Sequence, residues 1–181
     1  MTYQKWLMAI ALLCTIQLKA QVSLVTLQAS GLTCSMCSNA INKALLSIDY
    51  VDRVTANIKE SSFVIRFKPA AIVNFDQLKK KVEDAGFFVA QMEATIVTNR
   101  IAISNDAHVD INGTMYHFLN TGDKVIEGEI HVRLLDKGFV SVKDFKRNAR
   151  FTKMNCYQIG YMGSCCKKTP GSSTRIYHVT I

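Results

Sequence analysis

The sequence predicts an α+β protein. A βαββαβ unit spans residues 21–94, a short connector follows at 95–100, and a small antiparallel β unit fills 101–181. Three observations carry this. Apolar residues fall at helical spacing in two stretches, near 38–48 and 75–85, and both are flanked by runs that alternate apolar and polar. From Ile101 onward the pattern is strand-rich, with turn signals about every 8–12 residues. Asn112-Gly113 is a hairpin dipeptide set before such a run.

Taken in order, residues 1–20 read as a secretory signal peptide rather than as part of the fold. Lys5 gives a basic start, 6–16 is apolar, and Ala20 supplies the small residue before cleavage at Gln21. The apolar run is short for a membrane span. Cys14 raises lipidation as an alternative, but Leu13 is large where a lipidated cysteine normally follows a small residue. Residues 22–29 form the first strand and 38–48 the first helix, with Ala40, Ile41, Ala44, Leu45 and Ile48 on one face. Val54, Ala56 and Ile58, then Phe63, Ile65 and Phe67, give two further strands around the polar turn 60–62. Pro69 breaks the second of these. Asn74 or Asp76 can cap a second helix that buries Leu78, Val82 and Ala85 and ends at Gly86. Residues 87–92 complete the split-βαβ, ferredoxin-like pattern, in which both helices cover one face of a four-stranded sheet. Beyond the connector, strands are expected at 101–103, 109–111, 114–119, 128–135, 139–142 and 175–181, and an OB-like barrel is the expected closure.

Between the first strand and first helix lies Gly31-Leu32-Thr33-Cys34-Ser35-Met36-Cys37. Such a turn brings both sulfurs to one side and sets Cys37 at the helix N-terminus, where unpaired N–H groups favour thiolate. Two adjacent thiolates select a soft ion such as Cu(I), or they form a redox dithiol. Two sulfurs do not satisfy Zn(II), which wants four ligands in a closed structural site.

This loop resembles the GMTCxxC loop of the heavy-metal-associated domains of copper chaperones, copper-pumping ATPases and the periplasmic mercury-binding protein. The likeness runs over residues 22–93, and Gly86-Phe87 resembles the family's entry to its last strand. It implies a metal carrier, not an enzyme, with Cys34 and Cys37 as ligands for Cu(I), or for Hg(II) or another soft ion. It implies loop support from Leu32, which stands where the family usually has Met, and from Phe87. Met36, between the cysteines, is expected to have no role. An extracytoplasmic thiol-disulfide oxidoreductase is the enzymatic alternative. The residue before Cys34 is Thr33, not an aromatic one, which argues against it.

Of six cysteines, Cys14 lies in the leader, so an odd number remains and they cannot all pair within one chain. Cys156, Cys165 and Cys166 form a second cluster, either another soft-metal site or a disulfide from Cys156 to one of the other two. His108, His117 and His131 lack ligand spacing and read as ordinary histidines. The formal charge of +8 is concentrated in the second half, where Lys143, Lys146, Arg147, Arg150 and Lys153 make a solvated face or dock an acidic partner or a lipid surface. The expected setting is a bacterial periplasm or cell envelope. The expected partners are metal-donor or metal-acceptor proteins, and nucleic acid is not among them.

Overall fold

Alternation along Val25, Leu27 and Ala29, all buried, makes the first strand one-sided. The computed structural model describes residues 21–32, 35–163, 166 and 174–181. The signal-peptide reading, including Cys14, lies outside these residues, as do Thr33, Cys34 and Cys165. Strand β1 (Gln21–Ser30) leads to α1 (Ser35–Leu46), β2 (Val51–Asn57), β3 (Ser62–Phe67), α2 (Phe75–Asp84) and β4 (Phe88–Ile103). The spatial order β2-β3-β1-β4, antiparallel throughout, is the ferredoxin-like arrangement.

Helix α1 buries Ser38, Ile41 and Leu45, whereas Ala40 is exposed, so its inward face is rotated from the expected one. Helix α2 begins as expected: Asn74 Oδ1 accepts from the Gln77 amide at 3.0 Å, and Phe75, Leu78 and Val82 are buried. Gly86 follows with φ +88°, a conformation that favours glycine. Ala56 is exposed on the edge strand β2, and Ile58 lies beyond its end in the following turn, also exposed, so neither forms an inward face.

The second half departs from expectation. Residues 95–100 are not a connector but the middle of β4, a strand of 16 residues. One stretch of β4 pairs with β1 while another pairs with β7, and residues 93–97 pair with both. Ala94, Thr95 and Ile96 are consecutively buried, as befits the middle of a sheet with strands on both sides. Strands β5 (Ala107–Ile111), β6 (Thr114–Phe118), β7 (Lys124–Leu134) and β8 (Ile176–Thr180) therefore extend the same sheet. Among the described residues it has eight strands in the order β2-β3-β1-β4-β7-β8-β6-β5 and remains open, so the OB-like barrel is corrected. The C-terminal strands join a continuing edge instead of closing on one another.

Residues 139–142 are not a strand either. Ser141 Oγ accepts from the Asp144 amide at 3.1 Å and caps helix α3 (Val142–Asn148). A 3₁₀ turn and the short helix α4 (Cys156–Ile159) complete the crossover to β8, which lies parallel to β6. The halves share one core: Phe75 meets Tyr177 edge-on, and both belong to the apolar cluster that holds Val25 and Ile41. Arg175 adds ion pairs to Asp76 of α2 at 2.6 Å and to Asp136 at 3.0 Å.

Candidate metal centres

The loop between β1 and α1 is set by its two ends. Gly31 turns the chain with φ +85°, and Leu32 packs against the core. Cys37 lies in the first turn of α1 and is half-buried. The ring of Phe87 comes within 3.9 Å of the position a Cβ on Gly31 would occupy, so the β4 entrance lies directly against the loop. Ser30 Oγ donates to the Phe88 carbonyl at 3.4 Å across the same junction. Met36 is 80% exposed and points away from the core. An N-terminal helical turn favours an anion, and a partly open cysteine can meet an incoming sulfur.

The second cluster is assembled by strand register. His108 of β5 is the cross-strand partner of His117 in β6, and His117 is the partner of His178 in β8. Residues directly opposite share a face, so three imidazoles stand in a row over adjacent strands. Their ring centroids are 4.4 and 5.0 Å apart. His108 and His117, which lack ligand spacing in the sequence, are thus brought together by register. His131 stays apart, largely exposed, with Thr95 Oγ1 at 3.0 Å from its Nδ1.

Helix α4 lays Cys156 over this row. Tyr157 anchors the helix: its hydroxyl donates to the Phe145 carbonyl at 2.9 Å, and its ring stacks on Phe145. The Cys156 Sγ is 3.7 Å from His108 Nε2 and 3.8 Å from His117 Nδ1. Cys166 is also buried, and its sulfur, that of Cys156 and a His108 nitrogen lie within 4.8 Å of one another.

Two carboxylates orient the row. Asp106 Oδ1 accepts from His117 Nε2 at 2.9 Å, and Asp136 Oδ1 accepts from His178 Nδ1 at 2.9 Å. Asp136 Oδ2 also accepts from the His178 amide at 2.8 Å. Burial, then the neighbouring His178 and His108, pushes the His117 pKa down to about 4 despite Asp106. Burial lowers that of His108 as well. Both imidazoles are therefore neutral near pH 7. Lys143, Lys146, Arg147, Arg150 and Lys153 are exposed, and Arg147 pairs with Asp144 at 2.6 Å.

A family model described as "Heavy-metal-associated domain" matches residues 26–88. A probable copper-exporting P-type ATPase of Archaeoglobus fulgidus is 32% identical over 71 residues, 39% of this chain. The chain spans only 9% of that ATPase's length. A mercuric transport protein periplasmic component of Pseudomonas fluorescens is 34% identical over 68 residues, which are 38% of this chain and 74% of that protein. Among solved structures, a CopZ metallochaperone aligns at 28% identity with a TM-score of 0.35, covering 38% of this chain and 100% of that one.

Proposed function

The chain belongs to the heavy-metal-associated domain family through its N-terminal half, and from that membership we propose that it carries one soft ion, Cu(I), on Cys34 and Cys37 for transfer or sequestration. The observation that carries the reading is the Cys-x-x-Cys pair inside the matched segment, whose second member, Cys37, lies in the first turn of α1. Two thiolates suit an ion content with low coordination, and Cu(I) and Hg(II) both qualify. Such coordination leaves room for a third sulfur from a partner protein, so the ion can move by ligand exchange. The chain's work is then to hold, shield and release. Leu32 and Phe87 support the loop from beneath, and no acid, base or nucleophile is required.

Export is part of the proposal. It rests on the signal-peptide pattern of residues 1–20 and on the periplasmic relative. A secreted product whose mass begins at Gln21 is the expected result.

The test is an anaerobic Cu(I) titration of the reduced chain against a chromophoric chelator, beside Cys34→Ser/Cys37→Ser. One tight equivalent disappears in the double variant. Hg(II), favoured by the mercuric relative, is run in parallel, and retention of Hg(II) with no competitive Cu(I) binding would reassign the ion. Cysteine-dependent disulfide reduction without stoichiometric metal would overturn the carrier reading in favour of an oxidoreductase.

A further inference from the structure

We propose that the second half of the chain holds its own copper site, a buried Cu(I) centre whose ligands are His117, His178 and Cys156. Ligand nitrogens of His117 and His178 and the Cys156 sulfur all lie within 4.8 Å of one another, and all three residues are buried. The site is independent of Cys34 and Cys37.

The hydrogen bonds decide which atoms face the ion. A carboxylate accepts, so Asp106 fixes the proton of His117 on Nε2 and leaves the Nδ1 lone pair toward Cys156. Asp136 fixes the proton of His178 on Nδ1. Its Nε2 is buried and has no hydrogen-bond partner among the described residues. An acceptor nitrogen deep in a protein is costly unless something fills its lone pair. Carboxylate–imidazole pairs of this kind set tautomer and ring orientation at metal centres. Here two of them converge on one sulfur.

The spacing fits an ion. Bonds of about 2.0–2.1 Å to nitrogen and about 2.3 Å to sulfur, opened to a trigonal angle, put N and S roughly 3.8 Å apart. The Cys156–His117 separation is 3.8 Å. His108 and Cys166 form a second triad that shares the Cys156 sulfur, so each is a candidate fourth donor. His108 is only half-buried and marks the side from which an ion enters.

The surroundings favour Cu(I) over Zn(II). The choice rests on the softness of the surrounding sulfur atoms, since His108 and Cys166 could also complete a four-ligand shell. Met115, Met154 and Met162 pack against the cluster of Cys156, Cys166 and Ile176, and thioethers are soft donors that suit Cu(I).

The experiment takes the reduced chain bearing Cys34→Ser and Cys37→Ser and titrates Cu(I) against the same chelator. One equivalent is expected to remain. Copper K-edge absorption of that sample should report both nitrogen and sulfur neighbours. His178→Gln should weaken binding at least tenfold. Asp136→Asn, which changes no ligand, should weaken it by about 10- to 100-fold. Absence of copper from the double-serine chain, or a shell of sulfur alone, would overturn the site, and the spectrum does so whether or not the histidine variants fold. Displacement of the bound Cu(I) by equimolar Zn(II) would overturn the choice of ion. Failure of the loop reading looks different: the wild type and the double-serine chain would then bind the same number of equivalents.

Discussion

His117 shows how one residue ties pH to stability. Its ring is buried against His108, His178 and Cys156, with Asp106 as the facing carboxylate. Burial and the two neighbouring imidazoles depress its pKa to about 4, against an ordinary value of 6.5. The unfolded chain therefore binds a proton that the folded chain refuses between those values. Stability is complete above about pH 6.5 and falls as pH drops toward 4, with a loss of roughly 1–3 kcal/mol for the metal-free chain. Urea midpoints at pH 7 and pH 5 check this, and His117→Gln should flatten the difference. At this scale the sequence was only half legible. Cys34, Cys37, Leu32 and Phe87 stand out as candidates because they fall in a local motif. The histidines do not, because 9 and 61 residues separate neighbours that only register brings together. Asp106 and Asp136 gave no signal at all until their imidazoles were in place.

Among the elements, α2 depends most visibly on one cap. Asn74 accepts the Gln77 amide, its carbonyl takes the Tyr50 hydroxyl at 3.0 Å, and Asp76 two residues on receives Arg175. Asn74→Ala should cost about 1 kcal/mol of stability in denaturant unfolding, with no change in the metal equivalents bound. The boundaries of α2 were readable because cap, apolar spacing and terminal glycine all agree. The length of β4 was not. Residues 94–98 carry Thr, Ile and Val in a row, which reads equally as a strand's end or its middle, and pairing with β7 across 30 or more residues decides which. Helix α3 did carry a sequence signal in Ser141 and Asp144, the pattern of a side-chain cap. Alternation in Phe139 to Val142 masked it.

At the scale of the whole molecule, β4 and the shared core should make the halves unfold as one cooperative unit. Leu78 is fully buried in the same cluster as Tyr116, Phe118 and Val179. Leu78→Ala should cost about 2–5 kcal/mol. The loss should appear as faster amide exchange in β6 and β8 as well as in β1 and β3, measured by mass spectrometry. Exchange that rises only in residues 21–94 would show two separate cooperative units. Sequence periodicity shows where strands are, not which strands adjoin. The insertion of β8 between β7 and β6 follows from the crossover through α3 and α4 and from Arg175 reaching both Asp76 and Asp136.

Strand order also works as a ruler. From β1, which leads into the cysteine loop, to β6, which carries His117, there are four steps across the sheet. At about 4.8 Å per step that is about 19 Å, many times the reach of a single side-chain swing. Cargo held at one end therefore has no bucket brigade to the other within one chain. On the two-site reading proposed above, each end would fill and empty separately, so occupancy of the two should rise independently as the ion is added.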